Sequence, residues 1–186
     1  MGKRLKKSRY ITGFDGIRTI AVIGVILYHL APYQFQGGFL GVPIFFVVSG
    51  YLITDLLFQE WQQNRRIDIK GFYIRRMKRL YPALVTLVLV TTAYITLFVR
   101  DLLTNIRAII ATNFLYVYNW FQVAHHESYF DKFGTQSPFT HLWSLSIEGQ
   151  FYLFWPIIIL LLLKFVKKKQ PIFDTMIILA FISALL

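Results

Sequence analysis

Three ionisable side chains, Asp15, Arg18 and His29, stand in an otherwise apolar stretch near the start of the chain. Histidine can act as a general base near neutral pH, because its reference pKa is about 6.5. The step of eleven residues from Arg18 to His29 rotates an α-helix to within about 20° of three full turns. The spacing therefore predicts that both side chains share one helix face, with Asp15 on the same side.

Two interpretations of this polar stripe remain open on geometry alone. His29 can be the general base of a buried site, or it can be a histidine that reaches the outer membrane interface. Asp15 and Arg18, three residues apart, can also form a local ion pair. Ionisable groups that face lipid are energetically expensive, so each residue of the stripe is a functional candidate.

A second group of candidates is basic. Arg76 and Arg79 lie one helical turn apart and can present two guanidinium groups together. Guanidinium binds phosphate oxygens in a bidentate manner, which suits a phosphorylated donor such as a nucleotide or coenzyme A. The alternative is a charge cluster that orients the protein in the membrane and contacts anionic lipid headgroups. From these residues alone the alternative is favoured.

The third group follows an i, i+3, i+7 spacing, which places His141, Ser144 and Glu148 on one helix face. A Ser-His-acid nucleophile is disfavoured, because residues one turn apart on a single helix rarely reach triad geometry. A polar lining near the outer mouth is the preferred interpretation, with Glu148 as its functional residue. The chain has no cysteine, which excludes thiol chemistry and cysteine metal sites, and we predict no metal site.

The elements that must position these residues are membrane helices. Hydrophobic residues make up 56% of the 186 and charged residues 16%, against about 25% charged in globular domains. A spanning helix needs roughly 20 apolar residues. We therefore predict an all-α polytopic membrane protein, with spans near 14–31, 39–58, 80–99 and 142–163 and a fifth that begins near 172 and is cut short at 186.

The net charge of +11 comes largely from three basic clusters, Lys3–Arg9, Arg65–Arg79 and Lys164–Lys169. Each lies beside an apolar run, as cytoplasmic flanks of membrane helices do, so nucleic-acid binding is not expected. The clusters predict a multi-pass protein of the cell membrane with residues 1–13 in the cytoplasm. Residues 103–121 are predicted to form a re-entrant or interfacial helix on the outer side, although an ordinary span is the alternative.

Four segments, in this order, resemble the membrane-bound acyltransferase-3 family, and in particular the peptidoglycan O-acetyltransferases of Gram-positive bacteria. The segments are FDGIRTIAVIGVILYHL (Phe14–Leu30), GVPIFFVVSGYLIT (Gly41–Thr54), FYIRRMKRLYPAL (Phe72–Leu84) and HLWSLSIEGQFYLFWP (His141–Pro156). The resemblance implies a bundle of about ten spans, of which this chain would be the N-terminal half. It also implies an SGNH-type extracytoplasmic domain beyond the chain.

The resemblance further implies transfer of acetyl from cytoplasmic acetyl-coenzyme A to an extracytoplasmic cell-wall glycan, at the C6 hydroxyl of muramic acid, with resistance to lysozyme. Acetyl-coenzyme A would be a substrate rather than a bound cofactor, and lipid and glycan would be the other partners. The implied catalytic residues are His29 and Glu148, the donor-binding residues are Arg18, Arg76 and Arg79, and the supporting polar lining is Asp15, Ser49, His141 and Ser144. Gly149 stands where many members carry a second acid.

Two rival interpretations remain. A transporter or flippase for an anionic solute would use the stripe of Asp15, Arg18 and His29 as a permeation lining. Alternatively, this chain is an inactive membrane fragment of the enzyme, because a span that stops part-way through the bilayer would expose backbone polar groups. Thioester turnover by membranes would separate an enzyme from a transporter.

Overall fold

The computed structural model describes residues 12–125 and 137–165, and every regular element among them is helical. The described residues form six α-helices, and three of the segments between them contain 3-10 turns. The α-helices are α1 (Thr12–Leu30), α2 (Gly41–Asn64), α3 (Ile69–Phe98), α4 (Ile106–Phe114), α5 (Tyr118–Ala124) and α6 (Trp143–Phe165), and the 3-10 turns are Gln36–Leu40, Arg100–Leu103 and Thr140–Leu142.

In the part of the chain that the structure describes, four helical runs are long and apolar enough to cross a membrane: Gly13–Leu30, Gln36–Asn64, Ile69–Phe98 and Thr140–Lys164. The predicted class, an all-α membrane protein, is confirmed. Large apolar side chains such as Leu89, Leu97 and Phe98 remain strongly exposed, as expected for helices surrounded by lipid or by further helices. The predicted fifth span near 172, the basic segment 1–11 and most of the basic cluster before that span lie outside the described residues.

The helices form two compact units, one within Met1–Ile67 and Phe154–Leu186 and the other within Asp68–Leu153. In the first unit, α1 packs closely against the glycines that precede and begin α2. A Cβ on Gly38 would meet the backbone of Gly24, and one on Gly41 would meet the backbone of Ala21. Small residues that allow such close approach are typical of helix packing in membranes, where van der Waals contact replaces the hydrophobic effect.

In the second unit, α3 begins earlier than the predicted span 80–99. Asp68 caps the helix, accepting a hydrogen bond from the Gly71 N–H at 2.9 Å, which satisfies one of the free donors of a helix start. The basic residues Arg75–Arg79 are therefore helical rather than part of a loop. Pro82 lies in the helix interior, where it removes one backbone hydrogen bond.

Residues 103–121 do not form one helix. The segment contains α4 and the start of α5, separated at residues 115–117, where Tyr116 adopts a left-handed backbone with φ of 55°. Each helix is shorter than the roughly 20 residues that a crossing requires. The position of this segment relative to the membrane stays a prediction.

The core of the second unit lies between α3 and this broken segment. From α3 it contains Leu84, Val88 and Ile95, which recur at helical spacing along one face. Against them pack buried residues from the shorter helices and from the segment that leads into α6, namely Ile109, Tyr118, Phe139 and Leu142. This packing fixes α3 and α6 near each other within the unit, and the candidate site lies on these two helices.

Candidate functional site

Arg76, on α3, is held between two aromatic rings. Its guanidinium carbon lies 5.5 Å from the ring centre of Phe72, one turn earlier, and 5.4 Å from that of Tyr152 on α6. Both aromatic residues are buried, at 1% and 8% exposure. Cations over aromatic faces are attracted by the ring quadrupole, and the attraction grows when water is excluded. The rings thus hold the charge of Arg76 without using its N–H donors.

Glu148 lies in the same part of the unit. Its carboxylate accepts a hydrogen bond from the Tyr152 hydroxyl, one turn further along α6, and its charge acts on Arg76. The structure therefore brings together two predicted site residues, Arg76 and Glu148, with Tyr152 in contact with both. An arginine beside a carboxylate and a phenol can bind an anionic group and orient it against a proton-accepting oxygen.

Gly149 is covered by the ring of Tyr116. A Cβ at this glycine would fall on the Tyr116 ring, so the position has no room for an acidic side chain unless the tyrosine moves. Burial raises the pKa of the Tyr116 phenol to about 12, with smaller contributions from Tyr81 and Glu148. The Tyr116 hydroxyl is buried and has no hydrogen-bond partner among the described residues.

Hydrogen bonds fix α6 to the segment around Tyr116. The side-chain amide of Gln150 donates to the Tyr116 carbonyl and to Asn119 Oδ1, both at 2.8 Å. The buried Ser146 hydroxyl accepts from the Tyr118 N–H at 3.2 Å. These bonds satisfy backbone groups that the break between α4 and α5 leaves without helical partners. They also fix the rotation of α6, so that Glu148 and Tyr152 are presented on a defined side.

Arg79 and the predicted polar face of α6 are less enclosed. Arg79 is exposed on α3, whereas Arg76 is half-buried. His141 is exposed, and the Ser144 hydroxyl donates to the His141 backbone carbonyl at 3.1 Å. That bond directs the Ser144 proton to the backbone rather than to an imidazole, so this arrangement is not that of a nucleophile triad.

The remaining predicted residues belong to the first unit. Arg18 is half-buried, and its Nε is enclosed without a hydrogen-bond partner among the described residues. His29 is exposed, and its Nδ1 lies 2.7 Å from the Val25 carbonyl oxygen. Because a carbonyl only accepts, the neutral ring carries its proton on Nδ1 and its lone pair on Nε2. Asp15 is exposed at the start of α1, and Ser49 is buried in α2.

The sequence interpretation missed three residues of the site, Phe72, Tyr152 and Tyr116. For two of them a signal existed, since Phe72 lies four residues before Arg76 and Tyr152 lies four residues after Glu148, on the same helix faces. For Tyr116 there was none. Its position depends on a left-handed backbone and on a contact with Gly149, more than thirty residues away.

Comparison with known proteins agrees with this architecture. The family model described as an acyltransferase domain matches residues 11–186. The chain therefore belongs to the acyltransferase-3 family.

Three similar proteins carry O-acetyltransferase in their names. Peptidoglycan O-acetyltransferase OatA of Listeria monocytogenes is 46% identical over 176 residues, which are 95% of this chain and 28% of that protein. A "Putative O-acetyltransferase" of Staphylococcus aureus is 46% identical over 91% of this chain and 28% of its own length. The "Putative peptidoglycan O-acetyltransferase YrhL" of Bacillus subtilis is 39% identical over all of this chain and 29% of its own.

The chain thus spans a little over a quarter of the length of these curated relatives. No solved structure matches it significantly.

Proposed function

We propose that the protein is a membrane-bound O-acetyltransferase that acetylates a cell-wall glycan, namely peptidoglycan at the C6 hydroxyl of muramic acid. Three relatives that are 39–46% identical carry O-acetyltransferase in their names, and two of those names specify peptidoglycan. Family membership supports acyl transfer as the reaction class. Acetylation of this hydroxyl alters the glycan that lysozyme recognises, so resistance to lysozyme is the expected consequence.

The proposed donor is acetyl-coenzyme A, and the observation that carries this proposal is the environment of Arg76. The two rings contact its charge through their faces and do not occupy its N–H donors. Its N–H donors thus suit the phosphate oxygens of coenzyme A, which guanidinium binds bidentately. Arg79, exposed one turn further along α3, is a second candidate for phosphate binding.

The proposed orientation places the basic ends of the helices in the cytoplasm of a cell-membrane protein, with the acceptor on the other side. Support comes from the exposed basic residues at the start of α3, which include Lys70, Arg75, Lys78 and Arg79. Positive charge beside a membrane helix favours the cytoplasmic side. Acetyl-coenzyme A is made in that compartment, so the same charges would also attract the anionic donor.

In the overall reaction the acceptor hydroxyl oxygen bonds to the acetyl carbon, the thioester C–S bond breaks, and the hydroxyl proton ends on the coenzyme A sulfur. His29 is the proposed general base, because its Nε2 carries the lone pair when Nδ1 donates to Val25. Arg18 is proposed to contact the donor, and Glu148 to take part in the transfer. Asp15, Ser49, His141 and Ser144 are proposed as supporting polar groups.

A direct test expresses the natural full-length gene product in a strain that lacks peptidoglycan O-acetylation. Purified peptidoglycan is treated with mild base, and the released acetate is quantified per muramic acid. We expect ester-linked acetate with the wild type and less of it with Arg76→Gln. Wild-type protein that inserts in the membrane but adds no ester-linked acetate would contradict the proposal. Uptake of an anionic solute without thioester turnover would instead support a transporter.

A further inference from the structure

Tyr152 contacts Arg76 and Glu148, the two charged residues that the structure brings together, through different parts of one side chain. Its ring lies 5.4 Å from the guanidinium carbon of Arg76, and its hydroxyl donates to Glu148 Oε1. It is 8% exposed on α6, so both interactions are shielded from water. Cation–π attraction and charge-assisted hydrogen bonds are each stronger under such shielding than at a wet surface.

The two contacts are geometrically coupled. The hydroxyl lies in the plane of the phenol ring, so the hydrogen bond to Glu148 limits how far the ring can rotate. In this orientation one face of the Tyr152 ring lies against Arg76. The ring centre of Phe72 lies 5.5 Å from the same guanidinium carbon.

We propose that Tyr152 is a positioning residue: its hydrogen bond to Glu148 fixes the orientation of the ring, and the ring keeps Arg76 oriented for an anionic phosphate donor. This inference rests on the proposed function, because the donor phosphates are those of acetyl-coenzyme A. Removal of the hydroxyl alone leaves the ring beside Arg76 but removes the hydrogen bond that limits the rotation of the ring. Removal of the ring eliminates both contacts.

The chain offers a matched control. Tyr73 on α3 also donates a hydrogen bond to α6, to the Leu153 carbonyl at 2.6 Å. Its ring contacts that of Phe72, but its hydroxyl bonds to backbone and not to Glu148. Tyr73→Phe therefore removes a hydroxyl of the same kind from the same pair of helices. A general loosening of the contact between α3 and α6 would affect both variants, whereas a positioning role belongs to Tyr152.

The test measures kcat and KM for acetyl-coenzyme A, and coenzyme A binding, with the full-length protein in membranes. We expect Tyr152→Phe to raise KM and the coenzyme A dissociation constant about tenfold, as loss of a hydrogen bond to a charged group does, with kcat changed less. Tyr152→Leu should have a larger effect, and Tyr73→Phe should leave KM unchanged.

A double-mutant cycle separates positioning through Arg76 from a purely structural role. In an Arg76→Gln background, Tyr152→Leu should alter coenzyme A binding by less than about twofold, because residues that act through one another are not additive. Full additivity would overturn the inference.

These measurements distinguish a failure of the inference about Tyr152 from a failure of the proposed function. If the wild type turns over acetyl-coenzyme A and Tyr152→Phe matches it in KM, the inference is overturned and the function stands. If the wild type neither binds nor consumes acetyl-coenzyme A, both are overturned. Should Tyr152→Leu fail to insert, Tyr152→Phe, which keeps the ring, decides the question.

Discussion

The two units hold their charged residues in different ways. In the second unit, Arg76 is half-buried between rings from two helices, and Glu148 accepts a hydrogen bond from the Tyr152 hydroxyl. In the first unit, His29 is exposed on α1, where its Nδ1 bonds to the backbone of its own helix. The first arrangement is ordered by contacts between described helices. His29 is instead an exposed side chain on an apolar helix, and its chemistry depends on the substrate that approaches it.

This difference separates residues that bind from residues that react. A binding residue gains from a fixed orientation, because preorganised donors lose little freedom when the ligand arrives. A general base must instead be reachable by the hydroxyl that it deprotonates. The enclosure of Arg76 and the exposure of His29 fit these two roles in the proposed reaction. The predictions below test that division, beginning with the largest expected effect.

His29→Ala should reduce acetyl transfer by roughly 10²–10⁴-fold, the usual contribution of a general base, while membrane insertion stays intact. The measurement is ester-linked acetate per muramic acid together with the protein level in the membrane fraction. His125 provides a matched control, because it is also exposed and its Nδ1 contacts the Phe121 carbonyl at 2.8 Å in the same manner. Equal effects of His125→Ala and His29→Ala would remove His29 from the mechanism.

Arg76→Gln should raise the KM for acetyl-coenzyme A about tenfold or more, because a charge-assisted hydrogen bond to phosphate is lost from an enclosed site. Arg79→Gln should have a smaller effect, about fivefold at most, since exposed charges are screened by water and salt. Initial rates at several donor concentrations give both values. If Arg79→Gln has the larger effect, the exposed position is the principal phosphate contact. Unfolded or mislocalised variants would favour the alternative in which these charges only orient the protein.

Gly149→Ala should destabilise the protein by about 1–3 kcal/mol, the usual effect of overpacking. The new Cβ would fall on the ring of Tyr116, which hydrogen bonds from Gln150 help to hold in place. Thermal unfolding in detergent measures the change.

Gly16→Ala on α1 is the control for this substitution, since a Cβ there meets nothing within 4 Å and alanine favours a helix. Tyr116→Ala should restore part of the stability lost in Gly149→Ala. Equal unfolding temperatures for Gly149→Ala and the wild type would show that Tyr116 moves aside at little free-energy cost.

Sequence patterns predicted the long helices, because helices follow from local periodicity, whereas the roles of the site residues stay predictions. The apolar runs predicted the four long helices. The spacing of Arg76 from Arg79 predicted that both lie on one helix face, and the spacing of Glu148 from His141 and Ser144 predicted the same for that group. The start of α3 was missed because the helix cap at Asp68 depends on one side-chain hydrogen bond. The predicted span began at Leu80 because the basic residues end there and the apolar run starts. The break at Tyr116 was missed because a positive φ at a tyrosine is stabilised by tertiary contacts that no local pattern records.

The smallest expected effect concerns the pH dependence of stability near Tyr116. Burial raises its folded-state pKa to about 12, above the value of about 10 for an unfolded tyrosine, so folding favours the protonated phenol. The associated stability is complete below about pH 10 and is lost as the pH rises towards 12. Tyr116→Phe cannot ionise, so its unfolding temperature should fall less than that of the wild type between pH 9 and pH 11. Lysine deprotonation affects both proteins alike, so parallel curves would mean that the phenol beside Gly149 is open to water and that this part of the second unit resembles the exposed face of α1.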